Sequence, residues 1–488
     1  MRPRAHSWIA LPLLLLLGPG AARADALAGY RAARARVEAA VRAHGGAEAL
    51  AALPALTVTF DGKRTMIGQG HTYARTETQL SQVATTFDFA HDRIVEEQRQ
   101  LYVGGYDFRY RMVLLPTDGF VVNLDQSYEG PEIDRSPAAN LAAARVPLWR
   151  TCPALLLRHA LERAATLRPS GDDVVFAEAD GTLIGLRFDA ATQGLRGFEI
   201  VSDSIVIGDQ LVSVEWTGSQ TVGGVVFPTG LVETRNGGPS REGRIRVDLE
   251  RPTDDRFVVP AGFEPAPPAP AEPVQKLGEG VGIVDGLADG NHPFFVELAD
   301  SVVVVEAPSG SALSEEAIAR IGAATGGKPI RYVAFSHAHS DHAAGLRAYI
   351  ARGVTILMPP VWRPYVEALA AAQHTIKPDR LQTAPRAPIV ETFTGERVIG
   401  DGRRSVHLFT MGPTAHSEET VVAWVPDAGV IYQGDCLIVP RAARAVPPAT
   451  SLTRAFARLI REKKLAVKVI AGTHGRPATM AELEQSLR

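Results

Sequence analysis

Residues 335–345 read FSHAHSDHAAG and place His337, His339, Asp341 and His342 within one short turn. The preceding run, IRYVAF at 330–335, is apolar and β-branched and predicts a buried strand, so the histidines are delivered at a strand end. In a tight loop after a strand, residues at alternate positions point the same way. His337 and His339 then share one direction, and Asp341 and His342 are displaced toward another. Neutral imidazole and carboxylate are the ligands Zn²⁺ takes when a coordination position has to stay open. The plain alternative is a polar loop whose histidines cluster by chance. One loop does not complete a metal site, so the rest of the chain decides between the two.

Three more groups stand in the same context downstream. TMGPTAHSEETVVAWVP places His416 in a turn before a strand, GVIYQGDCLIVP places Asp435 just past a strand end, and KVIAGTHGRP does the same for His474. Strand ends are where α/β sheets put their sites. Five of the thirteen histidines are thereby used, all in one part of the chain.

This set, covering Leu277 to Arg488, resembles the metallo-β-lactamase superfamily of metallo-hydrolases. The resemblance implies an αββα sandwich and a di-metal centre. His337, His339 and His416 would hold the first metal, Asp341, His342 and His474 the second, and Asp435 would bridge them. It implies two Zn²⁺ ions, with iron or manganese as other occupants, and a bridging hydroxide that attacks an ester, lactone, thioester or amide carbonyl. Asp341 would orient that nucleophile or accept its proton. Two departures bear on substrate. Asp435 stands where one group of β-lactamases carries a cysteine ligand; Cys436 is its neighbour, and position parity through YQGD favours Asp435. Those enzymes also carry a lysine shortly after the cysteine, which CLIVP lacks, so a β-lactamase is the alternative rather than the leading reading. Ala415 replaces a glycine common in relatives, a change that leaves ligation intact.

Outward from the site, FFVELADSVVVVEAP predicts two strands, and SEEAIARIGAAT a helix with Ser314 as its N-cap. LRAYIARG predicts a helix and VTILMP a strand, an alternation that argues for an α/β domain over 276–488. PAGFEPAPPAPAEPVQ, 260–275, is a proline-rich linker. Residues 25–259 alternate in the manner of antiparallel strands, with helical stretches at the start, where Gly45 and Gly46 interrupt the pattern, and again near 139–167. These predict an α+β domain built on one large antiparallel sheet, with an order that resembles the half-barrel of periplasmic lipoprotein carriers. Such a sheet could carry an apolar ligand, which makes a binding protein the second functional class.

The chain has 488 residues, about 45% apolar, with a formal charge of −3 and no Lys/Arg block, so nucleic acid is not an expected partner and a small-molecule substrate is. Residues 1–24 read as a signal peptide: Arg2 and Arg4, the apolar run WIALPLLLLLG, then ARA before the cut after Ala24. That predicts a periplasmic or secreted protein without stable membrane insertion. Cys152 and Cys436 are too few for a disulfide framework and are read as free.

Among other side chains, Ser336, Ser340 and Thr473 flank ligands and are placed either to orient imidazoles or to cap turns. His292 and Glu306 are further candidates, and Gly345 is expected to permit a close approach. His374 and His407 are read as surface or packing residues; His44, His71, His91 and His159 are read as structural, and Trp149 and Trp216 as core.

Overall fold

The computed structural model describes residues 19–73, 77–124, 132–136, 138–265, 272–441 and 446–488. The apolar leader before residue 19 and linker residues 266–271 lie outside the described residues. No described helix is long and apolar enough to cross a membrane.

A first helix, Pro19–Ala43, is followed by the short helix Ala47–Ala51. Between them Gly45 takes φ 106° and Gly46 φ 93°, the left-handed region that glycine adopts without penalty. A Cβ at Gly45 would meet the Gly224 carbonyl oxygen at 2.2 Å, so the break also lets the helix end dock on the 220–227 hairpin. His44 donates to the Val226 carbonyl there, a structural role.

The following strands form the expected large sheet, fourteen strands among the described residues. It is antiparallel except where Glu264–Pro265 pairs in parallel with Glu132–Arg135. Along Ala55–Thr65 the even-numbered Leu56, Val58 and Phe60 are buried on one face, the period-2 signature read in the sequence. Helix Pro153–Glu162 and the first helix pack on the sheet, burying Leu155, Leu156, Leu157, Val37 and Ala40 together with Trp216 in one core. Trp149 stacks on Phe87 and His159 at its edge.

The C-terminal region is a sandwich of a seven-stranded and a five-stranded sheet. The strands Val302–Val305 and Val421–Val425 are buried along their whole length, as expected of strands covered on both faces. Helices Gly310–Ala324, Leu346–Arg352 and Arg363–Ala371 line one outer face, and Ser451–Glu462 and Met480–Ser486 the other. Ser314 is not the N-cap. The helix begins a turn earlier at Gly310 (φ 81°), and Ser314 lies buried inside it facing Gly345. A Cβ on Gly345 would fall 2.0 Å from the Ser314 Oγ, so tertiary contact between the two helices outweighs the local capping preference.

The two halves are docked together. His374 donates across to Asp203 (2.7 Å), and Asp209 receives Thr375 N–H at 2.9 Å. Cys152 and Cys436 are free and buried.

Candidate metal centre

Every predicted ligand arrives at one edge of the sandwich. Strand Ile330–Ala334 delivers His337 and His339, and the single turn Ser340–Ala343 carries Asp341 and His342. His416 precedes strand Val421–Val425, Asp435 follows Val430–Gln433, and His474 follows Val469–Gly472. These side chains fall into two groups: His337, His339, His416 and Asp435, and Asp341, His342 and His474. Within each group the donor atoms lie within 4.8 Å of one another.

Asp435 reaches both groups with different oxygens. Its Oδ2 lies 3.0 Å from His416 Nε2, and its Oδ1 lies 3.2 Å from His342 Nε2 and 3.4 Å from His474 Nε2. Cys436 points elsewhere, into the apolar core with Phe409, Val422 and Phe456. Of the two residues, it is Asp435, the one position parity favours, that stands among the candidate ligands.

The donor set fits divalent metal. His416 donates from Nδ1 to the Val103 carbonyl, which leaves Nε2 bare, yet that atom faces His337 Nε2 at 3.0 Å. Two imidazole nitrogens aimed at one point are near the ~3.3 Å edge of a tetrahedron with Zn–N of about 2.0–2.1 Å. His342 Nε2 of the second group, and Asp435 Oδ1 that faces it, are buried without a hydrogen-bond partner. Buried orphan atoms of this kind are costly unless something charged binds them.

The electrostatics follow. Burial holds the His337 imidazole well below its ordinary value, with the neighbouring imidazoles adding to the effect, and holds His339 at about 3. Both are therefore neutral donors. Burial opposes the charge on His342 as well, but Asp341, Asp435 and Glu306 outweigh it and push that imidazole up. Burial raises the Asp341 and Asp435 carboxyls, and the surrounding imidazoles, His342 foremost, overcome this and hold both well below the carboxylate range. Metal entering the second group therefore displaces protons.

Hydrogen bonds outside the ligand set fix the rings, and some of them were legible. Ser336 Oγ bonds His337 Nδ1 (2.9 Å) and His342 Nδ1 (3.2 Å). Glu306, fully buried at φ 84°, accepts the Ser336 N–H and lies 3.4 Å from His342 Nδ1. Thr473 bonds the Tyr432 hydroxyl, and Ser340 receives a bond from Gln69. His292 pairs with Asp285 and Arg441 on the cavity wall. His407 bonds Glu396 away from the site.

Sequence reading missed a second layer, supplied by the N-terminal domain. Gly70 takes a hydrogen bond from His339 Nε2 (3.1 Å), and Gln69 Nε2 donates to Asp341 Oδ1 (2.7 Å). Val103 accepts from His416, and the Tyr106 hydroxyl donates to the Asp435 carbonyl (3.2 Å). His71 donates to the Thr414 carbonyl beside this contact. No local spacing announces a pairing across 272 positions.

Gly104 sits at the tip of the hairpin that holds His416, with φ 89°, and a Cβ there would fall 2.9 Å from His416 Nδ1. Gly104→Ala is expected to twist that ring and weaken metal retention by about 10–100-fold, the usual effect of losing a ligand's orienting contact. Metal content after dialysis against a graded chelator series checks this; retention equal to the parent protein would refute it.

The Metallo-beta-lactamase superfamily profile matches residues 286–474. Among solved structures, a metallo-beta-lactamase from Pontibacter korlensis is 20% identical over 44% of this chain and 96% of its own, with a TM-score of 0.34. The DIM-1 metallo-beta-lactamase is 14% identical over 45% and 96%, TM-score 0.33. FIM-1 from Pseudomonas aeruginosa, in a mono-zinc form, is 18% identical over 44% and 93%, TM-score 0.32. No curated protein matches the chain.

Proposed function

The C-terminal region, residues 286–474, is a metallo-β-lactamase superfamily domain, and from that premise we propose that this protein is an exported di-zinc hydrolase of an ester, lactone, thioester or amide bond. The observation that carries the reading is Asp435, whose two carboxylate oxygens each face a different group of potential ligands. His337, His339 and His416 would hold one ion, Asp341, His342 and His474 the other, with Asp435 between them. Bound there, two Zn²⁺ would supply a water acidified to about neutral pKa and a polarised carbonyl oxygen.

The chain's own residues do the rest. Asp341 is fixed by Gln69 on one oxygen and by His474 (3.2 Å) on the other, so its carboxylate stands at a defined place beside the cluster, where it can orient the nucleophile or accept its proton. The N-terminal sheet roofs the cluster with Tyr102, Tyr106, Phe108 and Tyr110 and encloses a cavity of about 920 Å³. That volume suits a small molecule. In this division 1–24 is the leader, 25–259 the roofing domain, 260–275 the linker and 276–488 the hydrolase domain.

The test offers zinc-loaded mature protein a lactone, a thioester, an ester and a chromogenic β-lactam in parallel, with His416→Ala as the blank. Turnover of one class, absent in the blank, supports the proposal and names the bond. Turnover confined to the β-lactam would establish the lactamase alternative. Activity undiminished in His416→Ala would overturn the metal mechanism.

A further inference from the structure

The cavity over the metal ligands does not end at the aromatic roof. A second cavity of about 630 Å³ lies under the N-terminal sheet, with a mixed wall in which apolar Val58, Phe60 and Ile200 stand beside polar Gln98 and the carboxylates Glu96 and Glu233. Arg64 and Gln69 line both spaces and mark the neck between them. Gln69 is held by Asp341 and Ser340. Among the described residues no carboxylate pairs with Arg64: its Nε and Nη2 are buried without a hydrogen-bond partner, and its guanidinium rests 4.3 Å over the Tyr102 ring.

The surroundings make this cation conspicuous. In the sheet register Arg64 stands directly opposite Arg241, and Arg241 is opposite Glu233. Glu233 is the carboxylate of this row, and it is shared between Arg241 (3.4 Å) and Arg235 (3.3 Å). Like charges directly across a ladder repel. The other arginines on the two cavity walls each have a carboxylate, Arg150 Glu178 and Arg441 Asp285, although the Nε atoms of Arg150 and Arg241 are also buried without a partner. The half-buried Arg64 leaves its Nε–Nη2 edge unpaired, the edge with which a guanidinium takes a carboxylate or phosphate-type anion.

We propose that Arg64, at the neck between the two cavities, binds an anionic group of the substrate, so that the substrate is a hydrolysable anion whose chain extends under the N-terminal sheet while its scissile bond lies at the metal ligands. This rests on the hydrolase reading for the bond cleaved, but not for the anion site itself. Arg64 is a positioning residue. It acts on KM for anionic substrates, and the bond chemistry stays with the metal ligands.

The experiment uses full-length mature, zinc-loaded protein with two esters of equal chain length, neutral 4-nitrophenyl hexanoate and anionic mono-4-nitrophenyl adipate. The unaltered protein is expected to favour the anionic ester in kcat/KM. Arg64→Met keeps the aliphatic stem over Tyr102 and should raise KM for the anionic ester roughly 10–100-fold, the range for a lost hydrogen bond to a charged group. The neutral ester should change less than about twofold on that reasoning, and Arg64→Lys should restore part of the preference. No anionic preference in the unaltered protein, or an equal loss on both esters in Arg64→Met, overturns the proposal, and the first of these needs no variant to fold. A calorimetric arm uses adipate and hexyl phosphate, which carry no scissile acyl bond. Weaker binding of either to Arg64→Met supports the site and tells carboxylate from phosphate; equal binding to both proteins overturns it. Arg64-dependent anion binding without ester turnover would leave the anion site standing and remove the ester from the bonds the hydrolase reading allows.

Discussion

Asp435→Asn is expected to empty the metal centre while leaving the fold in place. The amide keeps the shape of the carboxylate but loses its charge, and one of its two oxygens becomes an NH₂ donor. That donor would face either the His342 and His474 side or the His416 side, since the carboxylate oxygens lie 3.2 Å and 3.0 Å from His342 and His416. Neither group then keeps an anion that both ions can share. Loss of an orienting contact outside the ligand set weakens metal binding about 10–100-fold, so removal of the shared ligand should exceed roughly 100-fold, with hydrolysis falling at least as far. Cys436→Ala is the matched control. Its thiol is buried in the apolar core, and that burial pushes its ionisation up, away from the thiolate a metal needs. Elemental analysis of the two variants decides the matter. Two equivalents retained by Asp435→Asn, or metal lost from Cys436→Ala, would reverse the assignment of the bridging ligand.

Arg347→Met should produce the largest loss of stability. Arg347 lies in helix Leu346–Arg352, which follows the histidine-rich loop, and is 1% exposed. Its guanidinium takes Asp379 in a forked pair at 2.6 Å and 2.9 Å and also donates to the carbonyls of Leu369 and Ala372. Asp379 in turn receives Ser311 Oγ and the Gln382 N–H. Removing the cation leaves a part-buried carboxylate and two helix-end carbonyls unanswered, a change worth about 3–5 kcal/mol. The C-terminal domain should melt on the order of 10 °C lower. Arg347→Met with Asp379→Leu should recover much of the loss, because replacing both partners with apolar groups removes the stranded charge. A melting curve unchanged in Arg347→Met would refute this account. The pair also sets an acid limit. Burial raises the Asp379 carboxyl, but Arg347, Ser311 and the Gln382 N–H outweigh it and hold it below the usual range. A depressed folded-state value contributes stability fully above the unfolded value of about 3.9 and loses it as pH falls below that.

The sequence by itself determined which side chains are candidates for a metal centre in this protein. A histidine-rich loop directly after a strand, and further His and Asp candidates at strand ends, are local facts: backbone geometry fixes which way a side chain leaves a strand, so His337, His339, Asp341, His342, His416, Asp435 and His474 stood out as candidates, their division between two ions came from the family resemblance, and the fold brings them together in two groups. The period-2 alternation also announced the large N-terminal sheet. Tertiary structure alone decided what surrounds that centre. Ser314 looked like a cap by propensity, but packing against Gly345 placed the helix start at Gly310, since contact between helices outweighs a local preference. Gln69, Gly70 and Val103 carry no ligand chemistry in their own neighbourhoods, and they matter because the sheet is docked on the sandwich. Arg64 reads as one more alternating strand residue. Only folding strips its partners away and turns it toward the neck of two cavities, because charge compensation depends on which strands lie side by side and not on sequence order.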